Sequence, residues 1–383
     1  MRGFNFGAKF IVIGVMLFVL LSFNWDRTEL EGRAFVVAIG IDAGDDEGER
    51  FEVSMSIADV AAMEGEGGDD VSILRVASGE SLALAMGQID AKISDNVYYG
   101  HTKAIVLGKC ILEDESLLRE VIDTLQRKNE INIKCIVMAA DQKAAKDMLE
   151  AKPREQGLLG LYLSGFYNNH NANAAAHVLK LDLEGLTEGM RDTQSAVIPK
   201  IALEDDEVAI SGVAVLRGFE LAGTVDDEEM AGFLWIMGDA IGTQIAIEAG
   251  KSEGHGHITF LAATSRTKLS FKELDGRLHC IIKIKTEGSI EGARFMEDYL
   301  YNTATMLKLQ KNFATKIQNE IESTINIFQQ DLAVDGFGIK EQLRKKDWRL
   351  YQKYNDQDWQ DTFKDMQFTI NVDVTIRNAG SVK

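Results

Sequence analysis

The chain has 383 residues, of which 45% are hydrophobic, and it carries a formal net charge of −19 at pH 7. This length predicts two or three domains, and the hydrophobic fraction is ordinary for globular domains with packed cores. The strong negative charge argues against nucleic acid and against an anionic membrane surface as docking partners, because both would repel the chain.

The first 24 residues predict an export signal or membrane anchor. Arg2 and Lys9 precede an apolar run over residues 10–23, which is the layout of a secretory signal. As a helix the run reaches about 21 Å, so an uncleaved anchor needs Lys9 to place its charge among the lipid headgroups. Acidic residues follow the run, and the positive-inside rule then predicts that the remaining chain lies outside the membrane. A buried helix of a soluble domain is the alternative interpretation.

Residues 25–203 predict an α+β domain. The apolar run at 33–42 predicts a strand covered on both faces, and the alternation over 51–57 predicts a half-buried strand paired with it as an antiparallel hairpin. The residues that follow predict a loop at 63–70, a helix from Ser78, a strand at 104–107, a helix around 118–125, a strand at 131–137, a helix at 141–149 and irregular helix over 157–195.

An acidic stretch at 204–207 follows Pro199 and predicts a boundary, so that a second domain covers 204–383 and is itself open to a split near 250–270. Its pattern predicts a strand at 208–216, a helix at 226–240, strands at 243–249, 257–263, 266–272 and 278–287, a long helix at about 292–330 and a strand at 368–376. Strands mixed with helices at hairpin-like spacing predict a multi-domain α+β ectodomain with mixed or antiparallel sheets, rather than a doubly wound fold.

Motif searches predict no catalytic residue, cofactor or metal site. The sequence has no GxSxG, Walker A or HExxH pattern, and no GxGxxG after a strand. His255 and His257 could face one side of a strand as metal ligands do, but no third ligand stands at a suitable spacing, so an exposed loop is the preferred interpretation. The carboxylates at 42–49 lack the spacing of a calcium loop and predict a solvated turn.

Single histidines and cysteines give no nucleophile. His101 has no partner acid or nucleophile that the sequence identifies, so a structural role is preferred; His170, His177 and His279 have no better claim. Cys110, Cys135 and Cys280 have no CxxC spacing, and the last two stand in strand-like runs, so they predict free, buried thiols.

Trp348 and Trp359 could form a ligand platform, but a position in the core between a helix and a sheet is the preferred interpretation. An export signal, several α+β domains, strong acidity and the lack of a catalytic constellation together predict a binding or scaffolding subunit.

Short motifs recur in order along almost the whole chain: WDRTEL at 25–30, AIGID at 38–42, YGHTK and VLG within 99–108, LQRKNEI at 125–131, VIP at 197–199, ISGVAV at 210–215, Asp331, GFG at 336–338, Trp348, WQDTF at 359–363 and VDVTIRNAG at 372–380. In this order they resemble the Ger(x)C family of spore germination lipoproteins, the C subunits of germinant receptors in endospore-forming Firmicutes. The resemblance implies a three-part α+β ectodomain outside the spore inner membrane, next to a polytopic A subunit and a polytopic B subunit. The receptor as a whole would respond to small nutrients such as amino acids or sugars, and no enzymatic activity of this subunit is implied.

One position departs from the family pattern. Members carry a lipobox cysteine immediately before the Trp-Asp-Arg, and here Asn24 stands there. An amide cannot form the thioether to diacylglycerol, so Asn24 is no lipid attachment site, and we expect the N-terminal helix to remain uncleaved as the anchor.

Two other classes of function stay open. A free-standing solute-binding protein of a transporter is the alternative, although such proteins usually have two α/β lobes with parallel sheets, which alternating strands do not favour. A surface hydrolase ranks third, because no nucleophile and base can be paired.

Overall fold

The computed structural model describes residues 32–45, 48–59, 71–142, 144–151, 157–168, 179–204, 207–248, 257–293, 303–355 and 359–378. The strands are β1 (Arg33–Ala43), β2 (Phe51–Ala58), β3 (Ser72–Gly79), β4 (Asn96–Tyr98), β5 (Ala104–Leu107), β6 (Ile136–Ala140), β7 (Ser195–Glu204), β8 (Glu207–Arg217), β9 (Glu220–Val225), β10 (Gln244–Glu248), β11 (His257–Leu274), β12 (Arg277–Ala293) and β13 (Gln367–Asn378). The helices are α1 (Leu82–Asp90), α2 (Lys109–Glu113), α3 (Glu115–Arg127), α4 (Ala145–Glu150), α5 (Leu159–Asn168), α6 (Leu183–Asp192), α7 (Ala231–Met237), α8 (Thr303–Asn326), α9 (Ile339–Lys346), α10 (Trp348–Asn355) and α11 (Trp359–Asp365).

The first sheet is mixed. Its strands run in the order β3-β2-β1-β5-β6-β7-β8-β9, and β4 pairs with β1 off this path. The central strands β1, β5, β6 and β7 are parallel to one another, and the pairs β1–β2 and β7–β8 at the two ends of this group are antiparallel. This mixture of sheet and helix confirms the predicted α+β class, including the β1–β2 hairpin.

Helices cover both faces of this sheet. Apolar residues of α1, α3 and α6 form one core with β1, β5 and β6, and residues of α4 and α5 form a second core on the opposite face. The prediction of a half-buried β2 is wrong. Ser54 and Ser56, which were expected to face solvent, are 1% and 2% exposed, because α4 covers their face of the strand. The sequence pattern marks the polar face of a strand but cannot show which helix covers it.

The second sheet has the order β10-β11-β12-β13. β11 and β12 form a long antiparallel hairpin, and β13 pairs parallel with β12. The strands predicted separately at 257–263 and 266–272 are one strand, β11, with a register shift between Ala262 and Thr264. The alternation predicted for 368–376 is confirmed, with the apolar side chains of β13 turned towards the core.

The long helix of the C-terminal half lies against this second sheet. Within the described residues α8 begins at Thr303, and it continues into a π-helical turn at Ile327–Asp331. The predicted apolar stripe is confirmed at its centre, because Phe313, Ile317 and Ile321 are fully buried. The earlier members of the predicted stripe, Phe295 and Tyr299, lie outside the described residues.

One apolar core joins the two sheets. Val197 and Val215 of the first sheet belong to the same buried cluster as Phe233 of α7 and Phe337, which precedes α9. The ring centroids of Phe233 and Phe337 are 5.2 Å apart. The domain boundary predicted between residues 203 and 204 falls at the end of β7, where β7 and β8 pair antiparallel up to Glu204 and Glu207, and it stays a prediction.

Several element ends differ from the sequence prediction. β3 was not predicted, and the first helix begins after Ser81, whose side chain accepts the N–H of Leu84, rather than after Ser78. The strand predicted at 131–137 begins only at Ile136, because a turn precedes it and leaves Ile133 54% exposed. The helices predicted at 141–149 and 226–240 shorten to α4 and α7.

Candidate functional site

A cavity of about 260 Å³ opens beside the carboxyl ends of the parallel strands β5 and β6. In sheets of parallel strands with helical connections, this edge is where ligands commonly bind. The cavity is lined by residues of β6, β7, β8 and β9 and by residues that follow β5, β6 and β9: Lys109, Leu112, Ala139, Ala140, Asp141, Gln142, Lys200, Ala214, Leu221, Thr224 and Asp226. We refer to it as the carboxyl-end cavity.

Lys200 is the buried charge of this cavity. It lies on β7 and is 4% exposed, next to Ala139 of β6. Its ammonium group makes ion pairs with Asp141 at 3.6 Å and with Asp226 at 3.9 Å. Both distances exceed the roughly 2.7–3.2 Å of a hydrogen bond. The two carboxylates therefore lie near the ammonium group at ion-pair distance, not at hydrogen-bond distance.

The two carboxylates differ in their surroundings. Asp141 directly follows β6, its side chain is 27% exposed, and its Oδ2 accepts a hydrogen bond from Ser211 Oγ at 3.3 Å. Asp226 follows β9, and its side chain is 80% exposed. The arrangement therefore combines a buried cation with one partly exposed and one exposed anion.

Near the end of β1, Asp42 stabilises the start of α4. Its carboxylate oxygens accept the backbone N–H groups of Ala145 at 2.8 Å and Lys146 at 3.0 Å. Burial raises the pKa of Asp42, and these two hydrogen bonds oppose the rise. The prediction that residues 42–49 are a solvated turn is therefore wrong for Asp42, which is 8% exposed. Its role is structural, because its lone pairs are turned to α4.

A second buried carboxylate, Asp335, organises the end of the C-terminal half. It is 2% exposed and accepts N–H groups from Ile339 and Lys340 of α9 and from the Trp359 ring, each at 2.9 Å. The core position predicted for Trp359 is confirmed. The same prediction is wrong for Trp348, which is 55% exposed and stacks on Tyr351 with centroids 5.2 Å apart.

The histidines give no cluster. His101 is exposed and packs against the rings of Phe35 and Tyr98, at 5.3 and 5.4 Å. His257 is exposed at the start of β11 and His279 bonds Thr369 through Nε2. His170, His177 and His255 lie outside the described residues. Throughout the described ranges, no group of three or more His, Cys, Asp or Glu side chains is placed to hold a metal ion.

The cysteines are free thiols, as predicted. Cys135 and Cys280 are buried and Cys110 is exposed. Burial raises the pKa of each buried thiol to about 12, so both are protonated at neutral pH and act as small apolar side chains.

The carboxyl-end cavity was missed by the motif search. Lys109, Asp141, Lys200 and Asp226 are scattered along the sequence and form no motif. One signal was present, because Lys200 interrupts the apolar run of β7, and a lone charge in a buried strand is unusual.

Family models for spore germination proteins match both halves of the chain. The model described as spore germination protein N-terminal domain matches residues 26–203, and the one described as spore germination B3/GerAC like, C-terminal, matches residues 211–380. The chain belongs to the Ger(x)C family of spore germination proteins.

Relatives match over most or nearly all of this Ger(x)C chain. Spore germination protein YndF of Bacillus subtilis is 24% identical, with 97% of each chain covered. Spore germination protein KC of the same species is 22% identical, with 96% of this chain and 95% of the relative covered. Spore germination protein GerQC of Bacillus cereus is 21% identical, with 82% and 84% covered.

A solved structure shares the fold. The crystal structure of the GerBC protein superposes with a TM-score of 0.60 at 17% identity, covering 89% of this chain and 97% of that one. Asn24 and the N-terminal apolar run lie outside the described residues. In the part that is described, no helix has the length and apolar character needed to cross a membrane.

Proposed function

We propose that this chain is the membrane-anchored C-type subunit of a spore nutrient germinant receptor. It acts by binding and assembly in germination signalling, not by catalysis. The observation that supports this most is the family match over both halves, residues 26–203 and 211–380. The relative named as germination protein KC matches over 96% of this chain, and the one named GerQC matches over 82% of it.

The proposed partners are a polytopic A subunit and a polytopic B subunit in the spore inner membrane. The N-terminal segment holds the chain there, and the bulk of it lies on the extracytoplasmic side. The net charge of −19 favours a cationic surface on a protein partner over nucleic acid.

Affinity purification of the tagged full chain from detergent-solubilised spore membranes tests this proposal. We expect two multi-spanning membrane proteins to be eluted with the tagged chain. In the control, in which an unrelated membrane-anchored protein carries the tag, we expect both to be absent from the eluate. Recovery of transporter permease subunits instead would support the solute-binding alternative, and recovery of the chain alone would contradict the receptor assignment.

A further inference from the structure

We propose that the outer face of the second sheet docks on the phosphate headgroups of an anionic phospholipid membrane. Side chains at alternate positions of a strand share one face. On this face β11 carries Arg266, Lys268 and Lys272, and β12 carries Lys283 and Lys285. All five side chains are exposed, and we refer to them as the basic sheet face.

The opposite face of the same two strands is covered. Leu269 of β11 and Ile282 of β12 pack in the apolar core of the C-terminal half. Helix α8 lies on that side, because the rings of Phe260 in β11 and Phe313 in α8 have centroids 5.3 Å apart. The basic sheet face is therefore the side of the sheet that is turned away from this core.

The cations of this face stand opposite one another instead of opposite acids. In the antiparallel register Arg266 pairs with Lys285, and Lys268 pairs with Lys283. Like charges directly opposite each other destabilise a sheet. In the part of the chain that the structure describes, no ion pair reaches four of the five cations, which are Arg266, Lys268, Lys272 and Lys283. This arrangement costs stability, and an anionic partner would offset that cost.

The acids on the same face are already paired. Glu287 accepts two hydrogen bonds of 2.9 Å from Arg377, and Asp373 lies 3.9 Å from Lys285. The pKa of Glu287 is lowered, first by the hydrogen bond from Arg377 and to a smaller extent by the charge of Arg266. These acids leave the other four cations of the face without an ion-paired carboxylate.

The shape of the face favours a membrane over an acidic protein. Residues 266–272 of β11 span roughly 20 Å, and neighbouring strands lie about 4.8 Å apart, so the charges form a flat array. Within this array Ser270 stands opposite Ile281, which is half-buried. Protein interfaces are centred on buried aromatic or large apolar anchors, and this array presents charge without such an anchor. A surface of lipid phosphates requires only the charge.

The net charge of the chain does not prevent this contact. A charge of −19 predicts repulsion of the whole chain from an anionic surface, but at physiological ionic strength exposed charges more than about 8 Å apart are largely screened. Each Lys or Arg held at an anionic surface strengthens association roughly fivefold. Repulsion of the acidic remainder then favours the orientation in which the basic sheet face meets the lipid.

The proposed N-terminal anchor would keep this face within reach of the bilayer. Residues 24–32 connect the apolar run to β1, and nine residues extend at most about 32 Å. A short tether raises the effective concentration of a weak second contact. This step rests on the proposed membrane anchoring, whereas the charge array of the sheet does not.

Lysine footprinting of the full chain in nanodiscs tests the inference. The nanodiscs contain either phosphatidylcholine alone or an equal mixture of phosphatidylcholine and phosphatidylglycerol, and mass spectrometry follows amine modification at each lysine. We expect Lys268, Lys272 and Lys283 to be modified at least about fivefold more slowly in the anionic nanodiscs. The protection should disappear in 1 M salt, where the screening length is about 3 Å. Lys316 of α8, exposed on the other side of the sheet, should react equally in both.

The variant Lys268→Glu separates docking from folding. It places a carboxylate opposite Lys283, so it should raise the midpoint of urea denaturation and yet remove most of the protection of Lys272 and Lys283. A purely structural role of Lys268 would not give both results. Lys311→Glu is the matched control, because it makes the same change of charge at an exposed position of α8, and it should leave the protection unchanged.

The anchor, the receptor role and this inference can fail separately. Incorporation into both kinds of nanodisc reports the anchor, membrane partners report the receptor role, and only the difference in labelling between the two lipids reports the face. Equal labelling of the three lysines in neutral and anionic nanodiscs would overturn the inference. Protection seen only in native spore membranes would also overturn it, because the face would then bind an acidic protein. Equal protection in Lys268→Glu and Lys311→Glu would place the lipid contact elsewhere.

Discussion

At the scale of single residues, two buried aspartates do similar work in the two halves of the chain. Asp42 accepts N–H groups at the start of α4, and Asp335 does so at the start of α9. The residue before α4, Ala144, makes no side-chain capping bond, so Asp42 supplies from a distant strand the acceptor that a helix normally finds locally. Burial raises the pKa of both carboxyls.

Replacing Asp42 by asparagine should destabilise the start of α4. The amide keeps the size of the side chain but turns one acceptor oxygen into a donor, so either Ala145 or Lys146 loses its partner. We expect the free energy of unfolding near neutral pH to fall by about 1–2 kcal/mol, measured by urea denaturation. Asp45→Asn is the control, because Asp45 is exposed and should change stability by less than about 0.5 kcal/mol.

The same variant has a predicted pH dependence. Because the folded pKa of Asp42 lies above its ordinary value of 3.8, the folded protein binds more protons than the unfolded chain between these two values. The contribution of this carboxyl to stability therefore grows as the pH falls through that window and is lost as the pH rises through the folded pKa. We expect the difference in the free energy of unfolding between the wild type and Asp42→Asn to increase as the pH falls from about 7 to about 4. A difference that decreases over this range would show that the folded pKa of Asp42 is lowered.

At the scale of secondary-structure elements, the crossing of α7 and α8 depends on a glycine. The backbone N–H of Gly232 donates to Thr324 Oγ1 at 3.1 Å, and the same hydroxyl donates to the carbonyl oxygen of Glu229 at 2.7 Å. A Cβ atom at Gly232 would lie 2.5 Å from the carbonyl oxygen of Glu320 and 2.6 Å from Ile321 Cα. The two helices can approach this closely only because no side chain separates them.

Alanine at Gly232 should therefore push the helices apart. We expect Gly232→Ala to lower the free energy of unfolding by about 1–3 kcal/mol, the usual cost of overpacking. The matched control is Gly87→Ala in α1, where a Cβ atom would have no neighbour within 4 Å. There alanine should raise stability by about 0.5–1 kcal/mol, because glycine weakens a helix interior. Loss of stability in both variants would contradict the packing argument.

Local sequence patterns predict some elements of the fold and miss others. The stripe Phe313, Ile317 and Ile321 was predicted because a helix with one apolar face repeats every three to four residues. β3 was missed because its burial alternates only weakly, with Ala77 and Gly79 as its buried residues. β3 forms because it pairs antiparallel with β2, and a local sequence pattern does not show such pairing.

At the scale of the whole molecule, the proposed topology is an acidic body held at the outer side of a membrane by an N-terminal helix. Residues 10–23 supply the apolar run of the proposed anchor, and Asn24 stands where the family resemblance implies a lipobox cysteine. Anchoring by the helix and anchoring by a lipid make different predictions for the mature N-terminus.

The anchor can be tested by inhibiting lipoprotein signal peptidase. We expect membrane retention of the wild type to be insensitive to globomycin and mass spectrometry to find an intact N-terminus. The double variant Phe23→Ala/Asn24→Cys provides a thiol after a small residue and should become lipid-modified and globomycin-sensitive. Protease added to intact protoplasts should remove the body of both proteins; a protected, cytosolic chain would contradict the topology.

The sequence by itself determined many of the elements and indicated the family. Period-two alternation fixed β13, the continuous apolar run fixed β1, and the ordered motifs between residues 25 and 380 indicated the germination proteins. These signals are local, because each is generated by side chains that share one face of one element or one short stretch of chain.

Tertiary structure alone decided the rest. Lys200 meets Asp141 and Asp226 because β6, β7 and β9 end or pass at one edge of the first sheet. Asp42 became a buried cap, and Trp348 an exposed side chain, through the placement of α4 and α10. Such burial depends on strand order and helix packing, which bring together residues far apart in the chain, and a local pattern carries no record of that proximity.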